Sequence, residues 1–248
     1  MDYRELSWKG YNWITSERWG EIHPDFPYAY YSQNCVSINS DGDLVLDVKP
    51  NTDKKSFIID DKEVIPQSQI GLVSSTAENP LFKYGDYFWV AKMPKGKHLW
   101  PALWMWSWDC WPPEIDVAEC WTNDCGGYFK FNHKWKLFQW NCQSNLHVIH
   151  SDKNYAETIP ILKGNWKDPA EDFNVYMLRW LPNKLQFYYN DNLVRTFDHP
   201  GTMDYIDRNT QGGMNVLMNV MVTEDYKDGQ MKTPLVIKDF KYVSLSKQ

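Results

Sequence analysis

Three carboxylates fall within six residues of this chain, at Glu114, Asp116 and Glu119, with only Ile, Val and Ala between them. Side chains alternate between the two faces of a β-strand, so Glu114 and Asp116 lie on one face. Strict alternation places Glu119 on the opposite face, together with the apolar residues. One extra residue, a β-bulge near Val117–Ala118, returns Glu119 to the acidic face. The stretch therefore predicts a bulged strand with three acids on one face and an apolar back.

Two explanations account for three acids on one strand face. Like charges that share a face repel each other, so the arrangement is costly unless the acids have a function. A retaining glycosidase uses one carboxylate as nucleophile and a second, protonated carboxyl as acid, and an acid between them keeps their pKa values apart. The alternative is a solvated acidic face with an apolar back. The flanking Trp111 and Trp121 favour the catalytic explanation, because proteins hold sugar rings by stacking aromatic rings on them.

A row of tryptophans precedes the acids. Residues 100–108 place aromatic side chains at even positions and the aliphatic Leu103 and Met105 at odd positions. This period-two alternation predicts a strand with the tryptophans on one face. They form either a buried core face or a sugar-stacking floor, and a hairpin through residues 109–113 would bring that floor beside the acids. The even positions are Trp100, Ala102, Trp104, Trp106 and Trp108.

The acids and their context resemble glycoside hydrolase family 16. Residues Glu114–Glu119 match the bulged E-I-D-x-x-E signature of its laminarinase-, agarase- and carrageenase-like members. Other segments resemble the family's blocks on either side of that signature, and the likeness spans roughly residues 7 to 246. These segments are 42–46, 82–87, 91–97, 99–104, 174–180, 185–190, 218–220 and 237–243.

The resemblance implies an all-β fold, a β-jelly-roll sandwich of two antiparallel sheets with a concave substrate cleft. We expect residues 1–248 to form one catalytic domain, because all-β sandwiches commonly reach this length. By resemblance, Glu114 is the nucleophile, and Glu119 is the general acid and then the base. Asp116 lies between them, hydrogen-bonds to the nucleophile and tunes it. The residues alone identify the acids as a set, and the order of their roles comes from the family.

Further residues are predicted to contact the substrate. His147 matches a histidine that the family often presents near the acids, although a lone histidine on a strand is more often structural. Asn219 is the polar residue near the middle of an apolar strand, and once buried it must hydrogen-bond to protein or, as the resemblance implies, to substrate. The stacking candidates are Trp100, Trp104 and Trp111, with Trp106 and Trp108 in reserve.

The sequence leaves the identity of the sugar open. The block Trp100–Trp104 favours a β-1,3-glucan such as laminarin, or a β-1,3-1,4-glucan such as lichenan. Some positions depart from the pattern of β-glucan-cleaving members, namely Phe88, Val90, Pro113 and Val222–Thr223. Together with three lysines they suit an algal galactan such as agar, porphyran or carrageenan, because sulphated sugars attract basic residues. The lysines, which otherwise form a solvated loop face, are Lys130, Lys134 and Lys136.

Two other functional classes stay open. One is a non-catalytic carbohydrate-binding sandwich, and the other is a transglycosylase with the same acids. The chemistry requires no cofactor. The resemblance also implies a structural calcium ion, for which Asp239 and a backbone carbonyl near Gly42 match family positions, although one carboxylate is a sparse ligand set for Ca²⁺.

Charge and hydropathy restrict the partners. A net charge of −6 argues against nucleic acid or an anionic membrane as partner. No run of 18 apolar residues occurs, so we expect no transmembrane helix. The N-terminus lacks the apolar region of a signal peptide. The chain is therefore either cytosolic or secreted with its leader removed. With a polysaccharide as its partner, we expect a secreted monomer.

Five cysteines are an odd number, so at least one is unpaired within the chain. Cys120 and Cys125 are close enough in sequence for a short-loop disulfide. Cys35, Cys110 and Cys142 show no metal-binding spacing. We expect mostly reduced, buried cysteines.

Two segments are predicted to border the cleft. Residues 7–34 form a loop-rich N-terminal segment that wraps the sandwich, and residues 122–143 form a loop or hairpin. Residues 50–68 are predicted to be an exposed polar connection. The sequence shows no repeat and no long amphipathic helix.

Overall fold

The computed structural model describes residues 3–132, 137–150, 153–160 and 168–245. Within them the chain forms β-strands, one α-helix, α1 at Pro200–Arg208, and one 3-10 turn at Gln33–Cys35. The strands are β1 Glu5–Trp8, β2 Tyr11–Ile14, β3 Ala29–Tyr31, β4 Val36–Ile38, β5 Leu44–Leu46, β6 Val48–Pro50, β7 Phe57–Ile59, β8 Lys62–Val64, β9 Ser68–Ile70, β10 Leu72–Ser75, β11 Gly85–Lys92, β12 Lys95–Gly96, β13 Leu99–Ser107, β14 Glu114–Cys120, β15 Phe129–Asn132, β16 Leu137–Trp140, β17 Cys142–His150, β18 Lys153–Pro160, β19 Asn174–Leu181, β20 Lys184–Tyr189, β21 Asn192–Phe197, β22 Met214–Val222, β23 Met231–Thr233 and β24 Leu235–Ser244.

Two large sheets form a sandwich. The eight-stranded cleft sheet has the order β1-β2-β10-β22-β13-β14-β17-β18, and the seven-stranded outer sheet has the order β21-β20-β19-β11-β24-β5-β4. All neighbouring strands within these two sheets are antiparallel. The predicted all-β jelly-roll sandwich is therefore confirmed. The nine-residue helix α1 is far too short to cross a bilayer, and the described part of the chain contains no other helix that could do so.

The apolar core lies between the two sheets. On β11, Tyr87, Trp89 and Ala91 are fully buried, while Phe88 and Val90 lie half-buried on the other face. This is the period-two pattern of a strand with one face in the core. The whole of β22 is buried instead, because it lies in the middle of the cleft sheet with one face in the core and the other on the floor of the cleft.

The strand that carries the three acids contains the predicted bulge. Leu103 pairs with Ala118, whereas the next residue of β13, Trp104, pairs with Asp116. Val117 is therefore the extra residue, and the pairing of β14 with β17 is interrupted between Asp116 and Glu119 as well. The prediction of a bulge near Val117–Ala118 is confirmed, and it places the carboxylates on one face of β14.

Some segments contain more regular structure than the sequence pattern predicts. Residues 50–68 contain a β-hairpin, β7 with β8, and the start of β9. The sequence analysis made no prediction for α1, which begins at Pro200 with His199 as its cap. Proline suits the first turn of a helix, because the N–H that it lacks has no partner there anyway. The predicted hairpin within residues 122–143 is formed by β15 and β16, and Lys134 and Lys136 lie outside the described residues.

The prediction for the cysteines is wrong for one pair. Cys120 on β14 lies directly opposite Cys142 on β17, with their Cα atoms 4.0 Å apart, and the two form a disulfide. Cys125 is exposed and free, and Cys35 and Cys110 are free as well. Proximity in sequence was misleading here, because antiparallel pairing brings together residues that are 22 positions apart.

A buried polar cluster lies around Glu17, against Asn215 of β22. Glu17 is 1% exposed, its Oε1 accepts a hydrogen bond from Asn215 Nδ2 at 3.5 Å, and its Oε2 accepts one from the backbone N–H of Arg18 at 2.9 Å. The amide oxygen of Asn215 accepts hydrogen bonds from Ser74 and Ser75. Burial raises the pKa of Glu17 to about 7. Below that pH the folded protein therefore holds a proton that the unfolded chain releases near pH 4.3.

We predict that the ionisation of Glu17 destabilises the wild type as the pH rises and that Glu17→Gln lacks this part of the pH dependence. Because the folded-state pKa is raised, the contribution of Glu17 is fully present below about pH 4.3 and is lost as the pH rises through 7. The amide does not titrate, so the free energy of unfolding of the variant should gain up to about 3 kcal/mol relative to wild type between pH 4 and pH 8. Urea denaturation at each pH measures this difference. Glu63→Gln, at an exposed position of β8, is the control, and parallel pH profiles for Glu17→Gln and wild type would contradict the prediction.

Candidate active site

A cleft of about 690 Å³ lies on the face of the cleft sheet that points away from the core. All three acids line it, together with the even-numbered residues of β13 from Trp100 to Trp106. Trp108 lies outside the cleft lining. Leu103 and Met105 are fully buried in the core on the opposite face of β13. The predicted division of this strand into an aromatic floor and an aliphatic back is what the structure shows.

Antiparallel pairing brings the tryptophan row beside the acids. β13 and β14 are neighbours in the cleft sheet and are joined through residues 108–113, as the hairpin prediction required. The register pairs are Trp106 with Glu114, Trp104 with Asp116, and Ala102 with Glu119. Each acid therefore lies next to a residue of the aromatic floor.

Glu119 has a hydrogen-bond donor on each carboxyl oxygen. Trp100 Nε1 donates to Oε1 at 2.7 Å, and Asn145 Nδ2 donates to Oε2. Burial raises the pKa of Glu119 well above its usual value, and the nearby charge of Asp116 raises it further. The hydrogen bond from Trp100 opposes this shift, because it stabilises the charged form. Glu119 is thus a carboxyl that holds its proton at a pH where an ordinary glutamate has lost it.

Asp116 is the most deeply buried of the three acids, at 3% exposure. Burial raises its pKa well above the usual range, and the charge of Glu114 acts in the same direction. His147 Nε2 lies 3.3 Å from Asp116 Oδ2 and 3.8 Å from Glu114 Oε1. The histidine predicted from the sequence is therefore placed between the two acids.

Glu114 contacts the most exposed tryptophan of the cleft. Trp111 Nε1 donates to Glu114 Oε2 at 2.6 Å, and 51% of Trp111 is exposed. The Trp111 ring lies 6.4 Å from the ring of His147. Trp111 therefore stands at the mouth of the cleft, where one face of its ring is open to a ligand.

The stacking candidates also act as hydrogen-bond donors, which the sequence analysis did not predict. Trp104 Nε1 donates to Asn219 Oδ1 at 2.7 Å, so the buried asparagine has a protein partner. Trp100 is flanked by Trp121, with ring centroids 5.7 Å apart, and by Phe26 at 5.1 Å. Because protein rings surround Trp100, we expect Trp104 and Trp111 to offer the larger ring surfaces to a sugar.

The N-terminal segment forms one wall of the cleft, as predicted. Trp19, His23 and Phe26 line the cleft, and the Trp19 ring lies 5.2 Å from the ring of Trp106. Burial lowers the pKa of His23, which favours its neutral form. The wall that faces the acids is therefore largely aromatic, with Asp25 as its acidic side chain.

Arg18 attaches this wall to the floor. Its guanidinium lies over the Trp106 ring at 3.7 Å and over the Trp108 ring at 4.9 Å. It also donates hydrogen bonds of 2.8 Å to the carbonyls of Ser107 and Trp108. Trp106 and Trp108, the reserve stacking candidates, thus serve as contacts for Arg18, and Trp106 is only 8% exposed.

Sequence reasoning missed Asn145 and Arg18. Asn145 lies two residues before His147 on β17, so period-two alternation places both on the same face. That spacing is a signal that could have identified Asn145 once His147 had been proposed. No comparable signal identifies Arg18, because its contacts join segments about 90 residues apart.

The structure places Asp239 away from the cleft, on β24 of the outer sheet. Ile237 pairs with Leu44, and this register leads Asp239 towards Gly42, whose carbonyl accepts a hydrogen bond from Trp8 Nε1 at 2.9 Å. One carboxylate and one carbonyl fall short of the six to eight oxygen ligands that Ca²⁺ takes, so other backbone carbonyls would have to complete a site. The structural calcium ion stays a prediction.

Within the described residues, one group of carboxylate and imidazole side chains has ligand atoms that all lie within 4.8 Å of one another. The group is Glu114, Asp116 and His147. Its members already contact one another, and the acid chemistry described above needs no metal. Two acids with different surroundings in one cleft, one of them with a raised pKa, are chemically able to act as a proton donor and a nucleophile.

The chain is similar in sequence and in fold to known proteins. The sequence profile of the glycosyl hydrolases family 16 matches residues 29–235. A β-1,3-glucan-binding protein of Penaeus monodon is 35% identical over 133 residues, which make up 51% of this chain and 34% of that protein. The chain spans between 22% and 40% of the length of the curated relatives that it matches.

Solved structures of the same architecture superpose on most of the chain. The catalytic domain of an endo-1,3-β-glucanase (laminarinase) from Thermotoga petrophila has a TM-score of 0.62 at 19% identity, over 88% of this chain and 84% of that one. A mixed-linkage-glucan family 16 protein of Bacteroides ovatus, in complex with a product, has a TM-score of 0.63 at 19% identity, over 98% and 94% of the two chains. These likenesses establish the fold.

We predict that Trp100→Phe raises the pKa of Glu119 further. Phenylalanine keeps an aromatic ring but lacks the N–H that stabilises the charged form of Glu119. A hydrogen bond to a charged group contributes about 1.5–3 kcal/mol, which corresponds to a shift of about one pKa unit or more. Titration of the Glu119 carboxyl carbon by NMR measures the shift. Trp104→Phe is the control, since its N–H goes to Asn219, and an unchanged pKa in Trp100→Phe would refute the prediction.

Proposed function

The chain belongs to the glycosyl hydrolases family 16, and we propose that it is an endo-acting, retaining hydrolase of a β-linked glucan. One observation carries the proposal. Glu114 and Glu119 line one cleft, and each accepts a hydrogen bond from a different indole N–H, Trp111 and Trp100. Burial raises the pKa of Glu119. A carboxyl that keeps its proton beside a second carboxylate is the pair that this chemistry needs.

In the first step Glu114 acts as the nucleophile and Glu119 as the acid. A carboxylate oxygen of Glu114 forms a bond to the anomeric carbon while the bond from that carbon to the glycosidic oxygen breaks. The proton of Glu119 passes to the leaving oxygen. The products of this step are a shortened polysaccharide with a free hydroxyl and a glycosyl ester on Glu114.

In the second step Glu119 acts as the base. It takes a proton from water, the water oxygen attacks the anomeric carbon, and the ester bond to Glu114 breaks. Two inversions return the anomeric carbon to its original configuration, which makes the hydrolysis retaining. Glu119 ends with the proton that it needs for the next cycle.

Asp116 and His147 orient Glu114 in both steps. Asp116 is buried with a raised pKa, so it can carry a proton and donate it in a hydrogen bond to Glu114. His147 lies within 4 Å of both acids and faces Glu114 across the strand pair. These contacts orient the nucleophile and keep the ionisation of the two glutamates different.

A neutral glucan suits the cleft better than a sulphated galactan. Among the described residues that line the cleft, none is a lysine or an arginine, and the charged side chains are acidic. A sulphate group beside these residues would be repelled by the carboxylates and would find no guanidinium or ammonium partner among the described residues of the lining. Relatives and structural neighbours that are named as acting on β-1,3- or β-1,3-1,4-glucans support the same substrate class.

A carbohydrate-binding protein without catalysis is the second candidate. The Penaeus monodon relative, named as a β-1,3-glucan-binding protein, favours it. The acids of this chain argue for catalysis, because a binding site gains nothing from burying carboxyls that repel one another. A transglycosylase would use the same acids and differ in the acceptor of the second step.

We propose that the chain is one catalytic domain that acts as a secreted monomer on an extracellular polysaccharide. The size of the substrate supports this, since a long polysaccharide is met outside the cell. A disulfide between Cys120 and Cys142 is also typical of proteins in oxidising compartments.

We predict that laminarin and mixed-linkage glucan are cut internally and that agarose, porphyran and carrageenans are not. Measurement of reducing ends and product lengths over this panel of polysaccharides identifies the substrate. NMR of the first product should show the β-anomer before mutarotation. Cleavage of a sulphated galactan in preference to both glucans would contradict the substrate proposal, and binding without cleavage of any polymer would contradict the proposed activity.

We predict that Glu114→Gln abolishes turnover and leaves glucan binding intact. The amide has almost the same shape as the carboxylate but cannot form the glycosyl ester. Turnover should fall by at least about a thousandfold, while affinity electrophoresis in laminarin should show retained binding. Glu78→Gln, at an exposed position outside the cleft lining, is the matched control and should keep wild-type turnover. Substantial residual activity in Glu114→Gln would exclude the assigned nucleophile.

A further inference from the structure

Asn145 is a buried amide between two of the acids. It lies on β17 directly opposite Asp116 of β14 and is 3% exposed. Its Nδ2 donates to Glu119 Oε2, and the hydrogen bond of its amide with Asp116 lowers the pKa of that acid. Asn145 thus contacts both the carboxyl that must exchange a proton and the acid beside it.

The proposed chemistry places two demands on the surroundings of Glu119. In the first step Glu119 must carry a proton, and in the second step it must be a carboxylate. Trp100 can only donate a hydrogen bond, so it supports Glu119 Oε1 as an acceptor in both steps. We therefore assign the proton that Glu119 gains and loses to Oε2, the oxygen that accepts the hydrogen bond from Asn145.

An asparagine amide can serve either state of Oε2. Its N–H donates to a carboxylate oxygen, and its carbonyl accepts from a protonated carboxyl after a half-turn of the amide group. Within the described part of the chain, Asn145 Oδ1 is buried and has no hydrogen-bond partner. A half-turn therefore breaks no described hydrogen bond of that oxygen, and it turns the amide N–H away from both Glu119 and Asp116.

We propose that Asn145 is a positioning residue whose amide follows the protonation of Glu119, donating to the carboxylate and accepting from the acid. The proposal rests on the function proposed above, and it adds a residue that supports both half-reactions. In the resting enzyme the carbonyl of Asn145 accepts the Glu119 proton and holds it on Oε2. After that proton has passed to the leaving oxygen, the amide N–H stabilises the carboxylate that accepts a proton from water.

The charged groups around Glu119 act on its pKa through their charge rather than by exchanging a hydrogen-bond donor for an acceptor. Asp116 and Glu114, on the same strand, raise its pKa, and His147 on β17 lowers it. The neighbouring positions of β13 and β22 carry uncharged side chains, Ala102 and Asn219. Of the two side chains with a described hydrogen bond to Glu119, Trp100 and Asn145, only Asn145 can both donate and accept one.

The test uses Asn145→Leu, which keeps the approximate size of the side chain and removes both hydrogen-bonding ends. Asn145→Leu removes the stronger, charge-assisted hydrogen bond of the carboxylate and the weaker hydrogen bond of the protonated acid. The charged form of Glu119 therefore loses more, and the alkaline limb of the pH profile of kcat/KM on laminarin should move up by about one pH unit. NMR titration of the Glu119 carboxyl carbon should show the same shift without requiring turnover.

A second measurement separates the two half-reactions. An activated dinitrophenyl glycoside leaves without a proton, so its cleavage reports the base step and bypasses the acid step. Because Asn145 is proposed to serve both steps, Asn145→Leu should lower turnover of laminarin and of the activated glycoside, each by about tenfold or more. A defect restricted to laminarin would overturn the proposed role in the second step.

The matched control is Asn219→Leu, the same change at another buried asparagine of the cleft that contacts Trp104 rather than Glu119. It is expected to weaken substrate binding and to leave the alkaline limb in place. Thermal unfolding and circular dichroism establish that both variants are folded. If Asn145→Leu is unfolded, Asn145→Ala, which also removes both hydrogen-bonding ends and adds no charge, takes its place in the same titration, with Asn219→Ala as its control.

The outcomes are distinguishable. An active wild type with the same limb and the same Glu119 pKa in Asn145→Leu overturns this inference alone. An equal shift in Asn145→Leu and Asn219→Leu also overturns it, since the effect would then be general to the cleft. A wild type that cuts no polysaccharide overturns the proposed function and this inference together.

Discussion

The single extra residue at Val117 is the constraint on which the cleft depends. A strand turns alternate side chains to opposite faces, so a regular strand would point Glu119 into the core beside Leu103. There an unpaired carboxyl would be strongly destabilising, and Glu114 would lack its counterpart. The bulge changes the face of every residue of β14 after Val117, and the antiparallel pairing continues on both sides of it. A local irregularity of the backbone thereby determines which side of the sheet carries the chemistry.

Tryptophans surround the acids of the cleft and donate hydrogen bonds without adding a positive charge. A lysine or arginine beside Glu119 would hold the carboxylate charged and remove the proton donor. An indole N–H offers a hydrogen bond with no formal charge, and its ring excludes water. Trp100, Trp104 and Trp111 each supply such a donor within the cleft. The same side chains therefore define the shape of the cleft and the ionisation of the acids inside it.

Local periodicity accounts for the features that the sequence predicts, and strand register accounts for those that it misses. The acids, the bulge and the two faces of β13 are encoded by alternation along one strand, so a short stretch of residues is enough to predict them. Asn145 and the pairing of Cys120 with Cys142 depend on how β17 aligns with β14, which no local pattern encodes. The contacts of Arg18 with Trp106 depend on a segment that is distant in sequence. The fold was thus predictable from pattern and resemblance, whereas the residues around the acids required three-dimensional alignment.

A disulfide links β14 to β17 and so stabilises their alignment covalently. Cys120 directly follows Glu119, and Cys142 directly precedes Gln143, which pairs with Glu119. A slip of one residue between the two strands would turn Asn145 away from the cleft and into the core. The bond between the sulphur atoms forbids that slip at the end of the ladder nearest to Glu119. The covalent bond between two sulphur atoms therefore stabilises the alignment that places Asn145 beside Glu119, and reduction of that bond would remove this constraint on the cleft.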